Sequence, residues 1–290
     1  MVLCAGLGTR LRPLTEELPK PLVPVGDTTP LGHIAAALGA FGVHKMVVNT
    51  HHLPEAFAPC LGGLALRPAL LHEPEILGTA GGVANAAPAL GPGAVLVWNG
   101  DALVDLDLHG LRRAHFLAGA AATLAVVPRE AGQGRVGLDS AGRIVRMRAT
   151  SFGKEHAGAD FVGVQILSPS LRAELPVQGC LVEHAYLPAL AAGELLVAAP
   201  VVTSWSEIGT IESYLAANLI WLERAGRSCF VGKGASVSAG VRIEQSIVGA
   251  GARVEGSGLL RGCVVWPGGR AGAPLRDAVV TAAGRVVQAP

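Results

Sequence analysis

Neither sign of charge dominates this chain: 23 Lys and Arg stand against 22 Asp and Glu, a formal net charge of +1. Such a balance lacks the basic footprint of a nucleic-acid binder and the polybasic patch of a membrane-surface protein. Neither partner is expected. No apolar run is long enough to span a bilayer, and no basic-then-apolar leader opens the sequence. The five cysteines, Cys4, Cys60, Cys180, Cys229 and Cys263, are odd in number and form no C-x-x-C pair. That usage points away from a disulfide framework and towards buried thiols in a reducing cytoplasm. No His or Cys sits in a nucleophile motif. His51-His52-Leu53-Pro54-Glu55 looks faintly like a metal cluster, but its spacing fits no structural zinc pattern and its proline breaks a helix.

Two common phosphate-binding motifs are missing as well. After Gly6-Leu7-Gly8, the place of a dinucleotide fingerprint's third glycine holds Leu11. No Gly-Lys-Ser/Thr tripeptide of a Walker loop occurs. What does occur is a short apolar run, Val2-Leu3-Cys4, that breaks into Ala5-Gly6-Leu7-Gly8-Thr9-Arg10-Leu11-Arg12-Pro13-Leu14-Thr15. Leu18-Pro19-Lys20-Pro21-Leu22-Val23-Pro24-Val25 follows closely. Glycines let backbone N–H groups approach a polyanion. Arg10 and Arg12 offer planar, permanently charged forks for phosphate oxygens. Lys20 adds a point charge between two prolines that restrain its backbone. The polyanion signal is local, as for a small phosphorylated ligand such as a nucleoside triphosphate.

This string closely resembles that of the sugar-1-phosphate nucleotidyltransferases, the NDP-sugar pyrophosphorylases. The resemblance implies transfer of a nucleotidyl group from an NTP to a sugar 1-phosphate, with release of pyrophosphate. It assigns Arg10, Lys20 and Asp101 to catalysis, and the backbone of Ala5, Gly6, Gly8 and Thr9 to the nucleotide. Asp101 ends the apolar run Ala94–Trp98 through Asn99-Gly100, where a hard oxygen ligand can hold Mg²⁺ together with substrate phosphates. The family's second metal ligand is an aspartate before Gly-Thr; here Glu207 stands before Ile208-Gly209-Thr210, one methylene longer. Leu77-Gly78-Thr79-Ala80-Gly81-Gly82 matches the family's L-G-T-A-G segment, so Gly78, Thr79 and Gly81 are expected to receive base and ribose on their backbone, with Glu73 and Glu75 as neighbours that assist or simply meet solvent. The Glu-Lys-Pro that many relatives carry is absent. Among Arg146, Arg148 and Lys154, Lys154 is the expected sugar-phosphate cation, and Glu183 the expected contact to sugar hydroxyls.

Strand and helix signals alternate along most of the chain. Helices are expected at residues 31–41, 53–61, 78–90 and 211–224, and strands at 45–49, 64–71, 94–98, 122–127, 143–147 and 161–167. That alternation predicts an α/β fold, a Rossmann-like mixed sheet with ligands at the strand carboxyl ends. Only residues 1–4 precede the glycine turn, so either the first strand is clipped or the true start lies a few residues upstream. From Val231 onward, small aliphatics recur about every six residues between Gly, Ala and Ser, as in a hexapeptide-repeat, left-handed parallel β-helix. The expected domains are therefore a nucleotidyltransferase domain, 1–226, and a β-helix tail, 227–290, available for homo-oligomer contacts. Within the family, guanylyl transfer to mannose 1-phosphate is favoured by the tail. Uridylyl transfer to an amino-sugar 1-phosphate, cytidylyl transfer to a phospho-alcohol and a non-catalytic regulatory homologue stay open.

Overall fold

Short β-branched and aliphatic runs, punctuated by Gly and Pro, build most of the chain into layers of strand and helix. The computed structural model describes residues 1–289. It divides into two compact units, Met1–Gly6 with Ala35–Trp205, and Leu7–Ile34 with the residues from Ser206 onward.

The first unit is organised by a ten-stranded mixed sheet. In chain order its strands are β1 (Val2–Leu3), β2 (Val47–Thr50), β3 (Ala69–His72) and β4 (Val95–Asn99), then β5 (Ala102–Leu106), which lies outside that sheet, and β6 (Ala122–Arg129). β7 (Val136–Leu138), β8 (Ile144–Met147), β9 (Thr150–Ser151), β10 (Ala157–Leu167) and β11 (Leu196–Ala199) complete it, and β12 (Val202–Glu207) pairs with β5. The order β3-β2-β1-β4 is parallel throughout, and β10 joins β4 antiparallel. Val47, Val48, Val97 and Trp98 are buried, as expected of parallel strands covered on both faces. β1 is only two residues long, with Val2 opposite both Val48 and Trp98. Its carboxyl end, and those of β2, β3 and β4, deliver the glycine turn, His51, Glu73 and Gly100-Asp101 to one edge of the sheet.

Three expectations need correction. The helix expected at 53–61 is one α-turn, Phe57–Cys60, between the 3₁₀ turns Pro54–Ala56 and Leu61–Gly63, with Pro54 and Pro59 unable to donate. The strand expected at 64–71 is confined to Ala69–His72. Pro68 has no N–H to donate, and ladder pairing begins only at Ala69, whose N–H bonds Met46 O at 2.9 Å. The helix expected at 78–90 breaks at Ala86 into Gly78–Asn85 and Ala87–Leu90. The amphipathic helix Leu108–Ala118, which was not anticipated, is capped by the Asp107 carboxylate on Gly110 N (2.9 Å) and stopped by Gly119 at φ 59°.

In the second unit the helix Ile211–Arg224 starts at a reciprocal cap: Thr210 Oγ1 accepts from Ser213 N, and Ser213 Oγ accepts from Thr210 N. Beyond it, short strands pair in parallel with strands one step further along the chain. Phe230 lies opposite Ile247, Ile247 opposite Val264 and Val264 opposite Val279, offsets of 17, 17 and 15 residues. Ser236, Arg253 and Arg270 follow the same 17-residue step. Val248, Ala252, Val254, Leu260, Val265 and Val280 fill the interior of this stack. An antiparallel strand, Val286–Gln288, covers Ala278–Val280. Among the described residues, no helix is long and apolar enough to cross a membrane.

Candidate active site

The glycine turn is shaped by sterics that only glycine meets at its second position. Gly8 is left-handed (φ 62°, ψ 29°), and a Cβ there would lie 2.8 Å from Thr15 Cγ2. Gly8 O accepts from Leu11 N at 2.9 Å and from Thr15 Oγ1 at 3.0 Å, so Thr9–Leu11 closes as a single 3₁₀ turn. Arg10 projects from that turn with its side chain 68% exposed. Its Nη2 lies 3.5 Å from Glu207 Oε1, and bare Gly209 leaves room for the guanidinium. Glu207, the expected metal ligand, is thus the counter-ion of Arg10. An exposed pair of this kind is worth little and yields readily to a polyanion. Lys20 sits half-buried at the start of the 3₁₀ turn Lys20–Leu22.

A buried polar chain lies under the other end of the glycine turn. Cys4 N donates to Asn49 Oδ1 at 2.8 Å, and Asn49 Nδ2 donates to Glu73 Oε1 at 2.8 Å. Glu73 Oε2 accepts from Leu77 N at 3.3 Å. Glu73 is fully buried, so of the two sequence readings, solvated acid or helper at the base, solvation is excluded. Its two oxygens tie β1 and β2 to the residue preceding Gly78. His51 Nδ1 meets Glu73 O at 2.8 Å, a structural duty for the histidine that the sequence placed in a faint metal cluster. Burial, reinforced by the nearby Asp101 charge, pushes the Cys4 thiol far above its ordinary range and keeps it inert.

Asp101 is half-buried behind Gly100, whose N–H extends the β1–β4 ladder to Leu3 O at 2.9 Å. Among the described residues no group of three His, Cys, Asp or Glu side chains is placed to cage a metal. Mg²⁺ does not need such a cage: it takes one or two carboxylates, waters and substrate phosphates. Asp101 and Glu207 each carry hard carboxylate oxygens of that kind. A cavity of about 460 Å³ opens elsewhere, at the amino ends of β1, β2 and β4, lined by Met1, Leu38, Phe41, Lys45 and Arg112. It lies at the end of those strands opposite to the end that carries Asp101.

Gly78 and Gly81 prove to be glycines for a reason the local sequence does not carry. Gly78 has φ 75°, and a Cβ on it would stand 2.4 Å from Gly179 O. A Cβ on Gly81 would stand 2.5 Å from Val177 O. The segment around Gly179 is pinned to this helix start. Ala80 N donates to Gly179 O, Gly179 N to Leu77 O, and Leu181 N to Thr79 Oγ1, each at 2.8 Å.

A Nucleotidyl transferase family profile matches residues 1–148. The mannose-1-phosphate guanylyltransferase of Mycobacterium tuberculosis is 32% identical over 93% of this chain and 80% of its own length. The chain belongs to the nucleotidyl transferase family. The N-acetylmuramate alpha-1-phosphate uridylyltransferase of Neisseria meningitidis is 40% identical over 37% of this chain and 48% of its own. The crystal structure of HddC from Yersinia pseudotuberculosis complexed with GMP-PN shares the fold, with a TM-score of 0.63 and 21% identity over 76% of this chain and 97% of that one.

In this nucleotidyl transferase, the cations and acids expected on the sugar-phosphate side are largely paired with one another. Arg146 is consumed locally. Its Nε and Nη2 grip Glu155 at 2.6 and 3.1 Å, and its other donors reach the carbonyls of Gln133, Gly134 and Arg148. That grip holds the Glu155 carboxyl below the usual glutamate range, helped by a bond from Gly132 N. Lys154 lies next to this pair on an exposed loop. Glu183 stands on the π-helical turn Val182–Tyr186 and pairs with Arg148 at 2.5 Å, both side chains about half exposed. Arg148 has φ 53°, a left-handed backbone rare outside glycine. Sequence reasoning counted Arg148 only as an available cation; its pairing with Glu183 spans 35 residues and leaves no local signal.

Proposed function

We propose that this protein transfers a guanylyl group from GTP to mannose 1-phosphate, giving GDP-mannose and pyrophosphate. The observation that carries this reading is the match to the M. tuberculosis guanylyltransferase over 93% of the chain. A phosphate oxygen of the sugar 1-phosphate attacks the α-phosphorus in line with the departing pyrophosphate. A phosphate monoester has its second pKa near ~6 and is already anionic at neutral pH, so no general base is required. The barrier lies in bringing two polyanions together, which makes positioning and charge stabilisation the whole task.

In this reading Arg10 and the backbone of Ala5, Gly6, Gly8 and Thr9 bind the β- and γ-phosphates. Lys20 steadies the phosphates at the reacting centre. Gly78, Thr79 and Gly81 offer the base and ribose those backbone groups not committed to the Gly179 segment. Lys154 serves the sugar phosphate, and Glu183 with Arg148 the sugar hydroxyls. Asp101 and Glu207 are the residues that would hold Mg²⁺, which when bound neutralises phosphate charge. Glu207 is released for this once phosphate replaces it on Arg10. Residues 1–226 are the catalytic domain. The regular 17-residue pairing supports reading 227–290 as a left-handed parallel β-helix, a surface for self-association. The cytoplasm is the proposed compartment.

A panel of nucleoside triphosphates crossed with sugar 1-phosphates, with Mg²⁺, tests this by pyrophosphate release. Turnover with GTP and mannose 1-phosphate is expected. Turnover confined to UTP with an amino-sugar 1-phosphate would instead favour the second reading, which the Neisseria relative motivates. Nucleotide-sugar binding without any turnover would leave a regulatory homologue.

A further inference from the structure

Within the second unit, the tail is linked to the chain on both sides of Lys20, directly at Glu16 and Glu17 and through Tyr214 at Pro24. On one side, Thr281 Oγ1 donates to Glu17 Oε1 at 2.6 Å, and Ala283 N donates to Glu17 Oε2 at 3.3 Å. Arg285 Nη1 adds a pair to Glu16 Oε2 at 2.6 Å. On the other side, Trp266 Nε1 donates to Tyr214 Oη at 3.0 Å, and Tyr214 Oη donates to Pro24 O at 2.5 Å. Thr281, Trp266 and Tyr214 are all buried to within 1%. Burial raises the Tyr214 phenol far above its ordinary range, so it remains a donor to Pro24. Lys20 therefore sits on a span of chain anchored at Glu17 and at Pro24, and each anchor leads to the tail.

The two contacts on the Glu16–Glu17 side differ in strength. Arg285–Glu16 is about half exposed on both sides and contributes little. Glu17 is the stronger tie, because a carboxylate accepting from a buried hydroxyl is a charge-assisted bond. The hydroxyl is itself fixed: Thr281 Oγ1 also accepts from Arg285 N at 3.1 Å, inside the turn that joins Ala278–Val280 to Val286–Gln288. Between these ties the backbone runs through short 3₁₀ turns, which have poor hydrogen-bond geometry, and Leu14, Leu22 and Val23 pack it to the interior.

We propose that residues 281–285 are a positioning element for Lys20: the tail sets the height of the loop that carries it, with Thr281 as the positioning residue. This rests on the nucleotidyl transfer proposed above. A displacement of a few tenths of an ångström to one ångström at a phosphate-contacting cation costs up to a hundredfold in rate. An event that shifts the last turn of the tail, such as self-association, thereby reaches Lys20 without touching substrate.

The test is Thr281→Val in the full-length protein, an isosteric change that removes only the hydroxyl, beside Thr281→Ser. In Thr281→Val, kcat for pyrophosphate release is expected to fall about tenfold. KM for the sugar 1-phosphate should stay within about twofold, and the backbone amides of Leu18, Lys20, Leu22 and Val23 should exchange with deuterium faster. Thr281→Ser should restore both. Should Thr281→Val fold poorly, Glu17→Gln reports on the same contact from the loop side. Unchanged exchange at 18–23, or faster exchange with unchanged kcat, overturns the proposal. A wild-type protein silent with every substrate pair overturns the functional reading instead, and the exchange rates then decide the anchoring alone.

Discussion

The buried chain Cys4–Asn49–Glu73–Leu77 has a fixed polarity, and this makes Glu73→Gln a demanding test. Cys4 N is a donor, so Asn49 must turn its oxygen to Cys4 and its nitrogen to Glu73. Leu77 N is a donor on the far side. Only a group that accepts at both oxygens satisfies Asn49 and Leu77 together. A glutamine of the same shape presents one oxygen and one amide nitrogen, so one buried N–H must face another. An unsatisfied buried donor costs about 1–3 kcal/mol, the upper part of that range at the fully buried Asn49 end and the lower part at the part-buried Leu77 end. Taking about 2 kcal/mol, a unit of this size should melt about 4–8 °C lower. Calorimetry checks this, with Asn49→Ala and the double variant alongside. The double variant should cost less than the sum of the singles, because the two residues share one network. Pyrophosphate release should slow as well, since the chain joins the residue before the glycine turn to the residue before Gly78. A Glu73→Gln protein that melts within about 1 °C of wild type would refute the argument from polarity.

Gly78→Ala should destabilise by more than about 2 kcal/mol in urea denaturation, since it adds left-handed strain to a clash with Gly179 O. Asp101→Asn should leave the circular dichroism spectrum intact and abolish turnover. Glu207→Asp should equal or exceed wild-type activity in the pyrophosphate assay if the carboxylate holds the metal. The Arg146–Glu155 pair predicts a pH effect of definite sign. Glu155 is held below its ordinary range when folded, so its stabilisation is fully present above the unfolded glutamate pKa and is lost as pH falls through the lower, folded one. The gap in thermal stability between wild type and Glu155→Gln should be constant at neutral pH and close in that acidic window.

How much of this was legible beforehand depends on how local each cause is. Residues 211–224 could be read as a helix to the residue, because Thr210, Ser213 and the apolar spacing all lie within the segment. The glycine turn and the strand-end placement of Asp101 were equally plain. Short strands such as β7 and β9 were not, since two or three residues carry no period. Gly78 and Gly81 show a subtler failure: the glycines were noticed, but their partner is the backbone at residues 177–179. Asn49 looked like the tail of an apolar run. The Glu17–Thr281 contact joins residues 264 positions apart, beyond any window that periodicity can scan.

Stacked coils of about 17 residues usually tolerate gain or loss of a whole repeat, because each layer meets only its neighbours. Here that freedom is restricted. Trp266 and Thr281 belong to successive layers, and each must arrive level with its own partner, Tyr214 on the helix Ile211–Arg224 or Glu17 just after the 3₁₀ turn Leu14–Glu16. Inserting or deleting one layer moves every later residue by about 4.8 Å along the stack, farther than any hydrogen bond stretches. The tail is thus a ruler as well as a scaffold, and its count of layers is set by the distance it has to measure.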